Sequence, residues 1–355
     1  MVPNPIIGVF LHWLGGLASA SFYVPYRKVQ GWSWETYWLV GGVVSWLIAP
    51  WVMAAIFSKD LLTVLHLAPG SALWWCFFFG LLWGFGGLTF GLTMRYLGLS
   101  LGMAVALGYT AVFGTLMPPI FHGQFHSLIQ QRSGIVILAG VGVCVLGIIF
   151  GGAAGVSKER ELSADQQKAD IPEFNLRLGL AVATFCGIMS ACFAFGLDAG
   201  NPIKALSLEH GTATMYQGLP VLIVVLTGGF LTNFVWCMIL SFRNKSFGEY
   251  RRMPAGRPKG ASQAKNYILS AVAGFTWYLQ FFFYSMGETQ MGKQYGFSSW
   301  TLHMASIIIF STLWGIALHE WRGVGLRTKV LIFMTLLVLV SSTAIVGYGN
   351  YLSAQ

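Results

Sequence analysis

Few side chains in this sequence of 355 residues could do chemistry, and none falls in a recognisable catalytic pattern. There is no hydrolase elbow, no GxxxxGK[ST] phosphate loop, no zinc-protease motif and no Cys/His cluster. The cysteines Cys76, Cys144, Cys186, Cys192 and Cys237 lie in apolar runs without CxxC spacing, so they read as small packing residues and not as a metal or disulfide framework. What remains is a set of isolated polar groups inside long apolar stretches. His12, His303, Asp198 and Glu288 are ionisable, and Gln280 is an uncharged amide. Such groups are costly in a membrane and default to functional hypotheses. Histidine titrates near neutral pH, which suits the uptake and release of a proton. A membrane carboxylate with a raised pKa would serve equally well.

Each of these residues also has a structural reading. A buried histidine can be a satisfied packing residue. Asp198 and Glu288 fall at helix ends, where a solvated carboxylate is ordinary. Glu35 opens a helix whose N-terminal dipole favours its charge. Arg95 closes another, where a snorkelling cation anchors topology. Trp83, Trp277 and Tyr278 offer flat faces for a ring to stack on, although membrane aromatics are mostly packing or belt residues.

The elements that must position these groups follow from composition. Hydrophobic residues make up 55% of the chain and charged ones only 9%, against roughly 25% charged in a soluble domain. That is too little charge to clothe a water-facing surface, so the expected solvent is lipid. About 20 apolar residues cross the hydrocarbon core, and ten runs qualify: about 5–25, 36–57, 72–93, 97–120, 133–152, 176–197, 212–240, 267–287, 298–319 and 328–350. The net charge of +9 is read as topology charge and not as a nucleic-acid footprint. All Lys and Arg except Lys59, Arg132, Lys204 and Lys293 fall in the odd-numbered loops. This asymmetry predicts cytoplasmic odd loops and both termini outside. On that topology His12, His303, Asp198 and Glu288 all enter from the outer side, with His12 roughly 12 Å deep, as if lining one outward-opening polar cavity.

A polar stretch at 153–175 divides the chain into a five-helix half at 1–152 and another at 176–355, the second carrying a long polar loop at 241–266. A shift of 171 places Gly8, Gly16, Ser19, Ala20 and Phe22 on Gly179, Gly187, Ser190, Ala191 and Phe193; a shift of 194 places Gly80, Trp83 and Gly98 on Gly274, Trp277 and Gly292. Five is odd, so duplicated halves would be inverted, an arrangement that places a substrate near the midplane. The expected fold is therefore all-α, with ten transmembrane helices in two inverted five-helix repeats.

Six segments carry a resemblance to a known family. Residues 8–46 read GVFLHWLGGLASASFYVPYRKVQGWSWETYWLVGGVVSW, 90–98 read FGLTMRYLG and 114–118 read GTLMP; EFNLRLGL lies at 173–180, WYLQFFFYSMG at 277–287 and SWTLHM at 299–304. With these the sequence resembles the bacterial L-rhamnose–proton symporters of the drug/metabolite transporter superfamily over nearly its full length. The resemblance implies that fold, and proton-coupled uptake of L-rhamnose or a related 6-deoxyhexose across the bacterial inner membrane. It implies a transporter rather than an enzyme, with no cofactor or metal, and with sugar, protons and membrane lipids as partners. His12, Glu35, Arg95, Gln280 and His303 fall within strings like the family's own. Asp198 stands where an amide is expected, Glu288 where a histidine is expected, and Lys293 is unusual. His12, His303, Glu288 and Asp198 are thus the candidates for proton coupling; Gln280, Trp277, Tyr278, Trp83, Arg95 and Glu35 are those for substrate. The superfamily also holds exporters of drugs and metabolites, and fold alone does not decide direction or substrate.

Overall fold

The computed structural model describes residues 3–97, 99–161, 175–253, 261–291 and 296–353. All regular structure among them is helical. The long elements are α1 (Pro5–Tyr26), α2 (Trp34–Phe57), α3 (Gly70–Leu97), α4 (Leu99–Phe121), α5 (Arg132–Arg160), α6 (Leu176–Ala199), α7 (Leu219–Asn244), α8 (Gln263–Glu288), α9 (Ser298–Ala317) and α10 (Leu326–Ser353). Nine helices among the described residues are long and apolar enough to cross a membrane; α8 is not one of them. Its 26 residues would suffice, but Gln263, Lys265, Asn266 and Gln280 lower its apolarity. Large apolar side chains such as Phe333, Leu326 and Ile6 stand on the outside of the bundle, as expected of a surface solvated by lipid.

Local signals start these helices. Asn4 caps α1, its side-chain oxygen accepting from the backbone N–H groups of Ile6 and Ile7, with Pro5 opening the first turn. Asn175 caps α6 in the same way through Leu178. Inside α2, residues Val43–Ile48 wind as a π-helix, and the Ala49 N–H reaches back to the Val44 carbonyl. Pro50 follows at once and has no N–H for the Trp46 carbonyl, a local reason for the register change.

The packing is pairwise. α1 lies against α8 and α9, while α6 lies against α3 and α4; α2 packs on α8, α3 on α7, and α5 on α10. Close crossings need glycine: a Cβ on Gly80 would run into the Val225 backbone of α7, and one on Gly274 into the Gly41 backbone of α2.

Several boundaries differ from the expected ones. α5 does not stop at 152 but continues to Arg160, so the first part of the expected linker is helical. Charge does not end it, because its last turn packs on the start of α10. Thr328 donates to Ser157 and to Glu161, the Gly325 N–H donates to Glu161, and Lys158 lies 4.9 Å above the Trp321 ring. α7 begins at Leu219 rather than 212, after a short 3-10 turn at Thr214–Tyr216. Residues 162–174 of the linker, 254–260 of the second long loop, Gly98, Gly292 and Lys293 lie outside the described residues.

Candidate functional site

Three helices build a buried polar cluster. α1 supplies His12, α8 supplies Gln280 and Tyr284, and α9 supplies Trp300, His303 and Ser306. His12 is 0% and His303 2% exposed. The Tyr284 ring stands between the two imidazoles, edge to face with each, at centroid distances of 5.3 Å in both cases. Trp300 closes the group, 5.8 Å from Tyr284 and 6.4 Å from His303. The Ser306 hydroxyl bridges the backbone, 2.9 Å from the His12 carbonyl and 2.8 Å from that of His303, and so holds α1 to α9 at this level. Gly287 gives His12 its room, because a Cβ there would stand 2.9 Å from the ring.

The site has buried hydrogen-bonding capacity and little to use it on. Among the described residues, neither ring nitrogen of His12 has a hydrogen-bond partner, nor has Nδ1 of His303 or Nε2 of Gln280. Leaving such a group unpaired costs about 1–3 kcal/mol. The three imidazole nitrogens beside Tyr284, and the Gln280 amide one turn away on α8, are therefore poised for something that forms hydrogen bonds, whether a proton, water or a hydroxylated ligand. From this cluster a chain of aromatic rings runs through the bundle. Phe193 touches Trp300 at 5.9 Å and Trp83 at 5.2 Å; Trp83 meets Trp46 at 6.3 Å; Trp46 meets Trp38 at 6.2 Å; and Trp38 meets Trp277 at 5.8 Å.

The structure brings together His12, His303 and Gln280, and places Trp83 and Trp277 on the same aromatic chain. It does not gather the four titratable candidates into one cavity. Asp198 lies half-exposed at the end of α6, 2.7 Å from Nε2 of His122 and 2.9 Å from the Asn201 amide. Glu288, one turn beyond Tyr284, pairs with Lys204 at 3.3 Å. Helix rotation and the short helix Asn201–Glu209 decide this separation, since they supply each carboxylate with a partner of its own. Tyr278 is fully buried, its hydroxyl unpartnered among the described residues, but it is two residues from Gln280 and so about 200° round α8. Glu35 is buried at the opposite end of the bundle, where it accepts from the Ser246 hydroxyl at 2.7 Å and the Asn244 amide at 3.0 Å, tying α2 to α7. Arg95 is exposed near the end of α3. No group of His, Cys, Asp or Glu side chains able to hold a metal ion occurs among the described residues.

Sequence reasoning missed Tyr284, Trp300, Ser306 and Lys204. A signal for the first was present: positions 277, 280, 284 and 288 recur at helical spacing, which puts Tyr284 on one face between Gln280 and Glu288. Lys204 carried no local signal, being 84 residues from its partner.

Comparison with known proteins gives this geometry its setting. The family model of the L-rhamnose-proton symport protein (RhaT) matches residues 1–352. The L-rhamnose-proton symporter of Klebsiella pneumoniae (strain 342) is 39% identical over 343 residues, covering 97% of each chain. Those of Enterobacter sp. (strain 638) and Salmonella newport (strain SL254) are 38% and 39% identical over the same length and coverage. The family is one of transporters, not of enzymes. The chain belongs to the L-rhamnose-proton symport protein family.

Proposed function

We propose that this chain imports L-rhamnose, or a closely related 6-deoxyhexose, together with protons by alternating access. The observation that carries the reading is the buried, unpartnered layer formed by His12, Gln280 and His303 around Tyr284. An imidazole with no protein partner can take up and release a proton without breaking a hydrogen bond of the fold. Gln280 offers a donor to a sugar hydroxyl, and the indoles of Trp83 and Trp277 offer faces to its apolar side. Glu288 and Asp198, at the end of the bundle that bears the N-terminus and each with a partner of its own, are the candidates for a relay. Protonation favours the state that binds sugar, and binding shifts the two access states by its differential affinity for them. The exporter reading is not favoured, since the relatives are named symporters.

In this reading ten helices span the inner membrane as two inverted repeats of 1–152 and 176–355, α8 being the tenth span. The packing supports it. Exchanging the halves turns the pairs α1 with α8 and α9 into α6 with α3 and α4, and α2 with α8 into α7 with α3. The glycines related by the repeat follow: Gly16 abuts Ser306 of α9 and Gly187 abuts Tyr109 of α4. So do the caps, since Asn4 and Asn175 are themselves 171 apart, and the backbone N–H of each is bound from beyond α8 or from α3, by Gln290 and Tyr96. The loop charges support periplasmic termini.

The test is uptake of labelled L-rhamnose into proteoliposomes with and without an inward proton gradient. Wild-type protein accumulates the sugar and loses that accumulation with a protonophore. Variants His12→Asn and His303→Asn retain sugar exchange but no longer concentrate it. Gradient-driven accumulation that survives both substitutions together, and in combination with Glu288→Gln and Asp198→Asn, removes this coupling scheme.

A further inference from the structure

The aromatic chain ends in a second feature that the layer around His12 does not use. Between α1, α2 and α8, in the half of the bundle away from the N-terminus, lies a cavity of about 10 Å³, about the room one water needs. Its walls are Phe22, Tyr26, Trp38, Trp46 and Trp277, with Ser45 and the glycines Gly41, Gly42 and Gly274; the Tyr26 hydroxyl lies against Gly41. The rings do not stack on one another. Trp38 meets Trp46 at 69° and Trp277 at 76°, and Phe22 meets Trp277 at 86°. These rings pack edge to face and wall the cavity.

The polar atoms of this box differ from those along the rest of the chain. Trp38 donates its Nε1–H to Asn233 at 3.2 Å, and Trp300 donates to the Thr110 carbonyl at 2.9 Å. By contrast Nε1 of Trp46, Nε1 of Trp277 and the Ser45 hydroxyl are buried with no partner among the described residues. Ser45 is 2% and Trp46 4% exposed. Two N–H donors, the Ser45 hydroxyl and the Tyr26 phenol, set among aromatic rings with no charged side chain in the wall, suit a neutral hydroxylated ligand. A monosaccharide presents an apolar C–H face for an indole and a rim of hydroxyls for neutral donors and acceptors. An ion or a phosphorylated sugar would find no countercharge here.

We infer that Trp38, Trp46, Trp277 and Ser45 form a monosaccharide site in the far half of the bundle, separate from the His12–Tyr284–His303 layer. This rests on the symport reading and deepens it: it adds a second sugar-contacting level to the one at Gln280, with Trp277, one turn from Gln280 on α8, reached from both. The cavity as it stands is narrower than a sugar ring. The wall that carries Ser45 and Trp46 is the π-helical segment of α2, a rare winding that is frequent at functional sites. Gly274 lets the α8 backbone meet that of Gly41, so α2 and α8 cross closely at this wall.

Calorimetric titration of L-rhamnose and proteoliposome uptake test the site, on wild type, Ser45→Ala and Trp46→Phe. Ser45→Ala removes a hydroxyl that no protein atom uses; Trp46→Phe removes an unused N–H together with ring volume in the core, so thermal unfolding of each variant is measured alongside. In each, Kd and KM for the sugar rise roughly five- to tenfold, the loss expected for one hydrogen bond, while the pH dependence of uptake stays that of wild type. Unchanged Kd in both variants overturns the site, while wild-type uptake leaves the symport reading standing. Wild-type protein that neither binds nor carries L-rhamnose overturns both.

Discussion

At His12 the fold's tolerance is set by one missing methyl group. A Cβ on Gly287 would stand 2.9 Å from the imidazole, and overpacking of that kind costs about 1–3 kcal/mol. Gly287→Ala should displace the ring, lower the melting temperature and reduce proton-driven accumulation. Gly142→Ala meets nothing within 4 Å and should leave both unchanged, so the pair of variants separates a local clash from a general intolerance of helix glycines. The carboxylates can be ranked in the same manner. Glu320 pairs with Arg27 at 3.0 Å, but the two side chains are 47% and 55% exposed, and such a pair contributes about 0–1 kcal/mol. Glu288 pairs with Lys204 at 25% and 13% exposure. Removing it strands a partly desolvated ammonium, a loss between the surface value and the roughly 3–5 kcal/mol of a fully buried pair. Thermal unfolding in detergent should therefore show Glu288→Gln clearly less stable than wild type and Glu320→Gln nearly unchanged. Of these facts the sequence disclosed the residue types and little of their company. His12, His303 and Gln280 were visible as polar groups in apolar runs. That Glu288 has an ammonium from a distant short helix beside it, and that Asp198 faces His122, depends on rotation about helix axes, which apolar spans do not encode.

Elements show the same division. The apolar runs located the long helices because length and hydropathy are properties of a contiguous segment. They could not foresee that α5 runs on to Arg160, since that turn is held from outside by α10. Glu161 makes the point testable. It lies just past the end of α5, where hydrogen bonds from the Thr328 hydroxyl and the Gly325 N–H hold its carboxyl below the usual carboxylate range. A depressed pKa in the folded protein means stability that is present above the ordinary carboxylate value and lost as pH falls through the lowered one. Glu161→Gln should thus melt below wild type at pH 7, and the gap should close as the pH is taken below the ordinary carboxylate range. A gap that is independent of pH would mean that the contact acts through shape alone. The π-helical turn of α2 was equally invisible, because Pro50 announces a missing donor but not how the chain accommodates it.

For the whole molecule, the contacts that join its helices at the two ends matter as a set. His122 with Asp198 and Lys204 with Glu288 close the end that bears the N-terminus; Arg27 with Glu320, and Glu35 with Ser246 and Asn244, close the other. A carrier that alternates must release one set at a time. Linking Arg27→Cys to Glu320→Cys with a reducible bifunctional reagent should abolish L-rhamnose uptake, and reductant should restore it; uptake that persists through the link would show that these ends do not part during transport. The polarity of α8 has a consequence of another kind. On the ten-span reading it enters the bilayer with Lys265, Asn266 and Gln280 in its length, so its own apolarity is a weak signal to the insertion machinery. Its membrane partners α1 and α2 are made first, and their glycine-lined faces wait for it at Gly8, Gly15 and Gly41. Damage at those faces would then be felt during biogenesis, as chains that never acquire the right topology and are degraded, before any defect in carrying sugar could be measured.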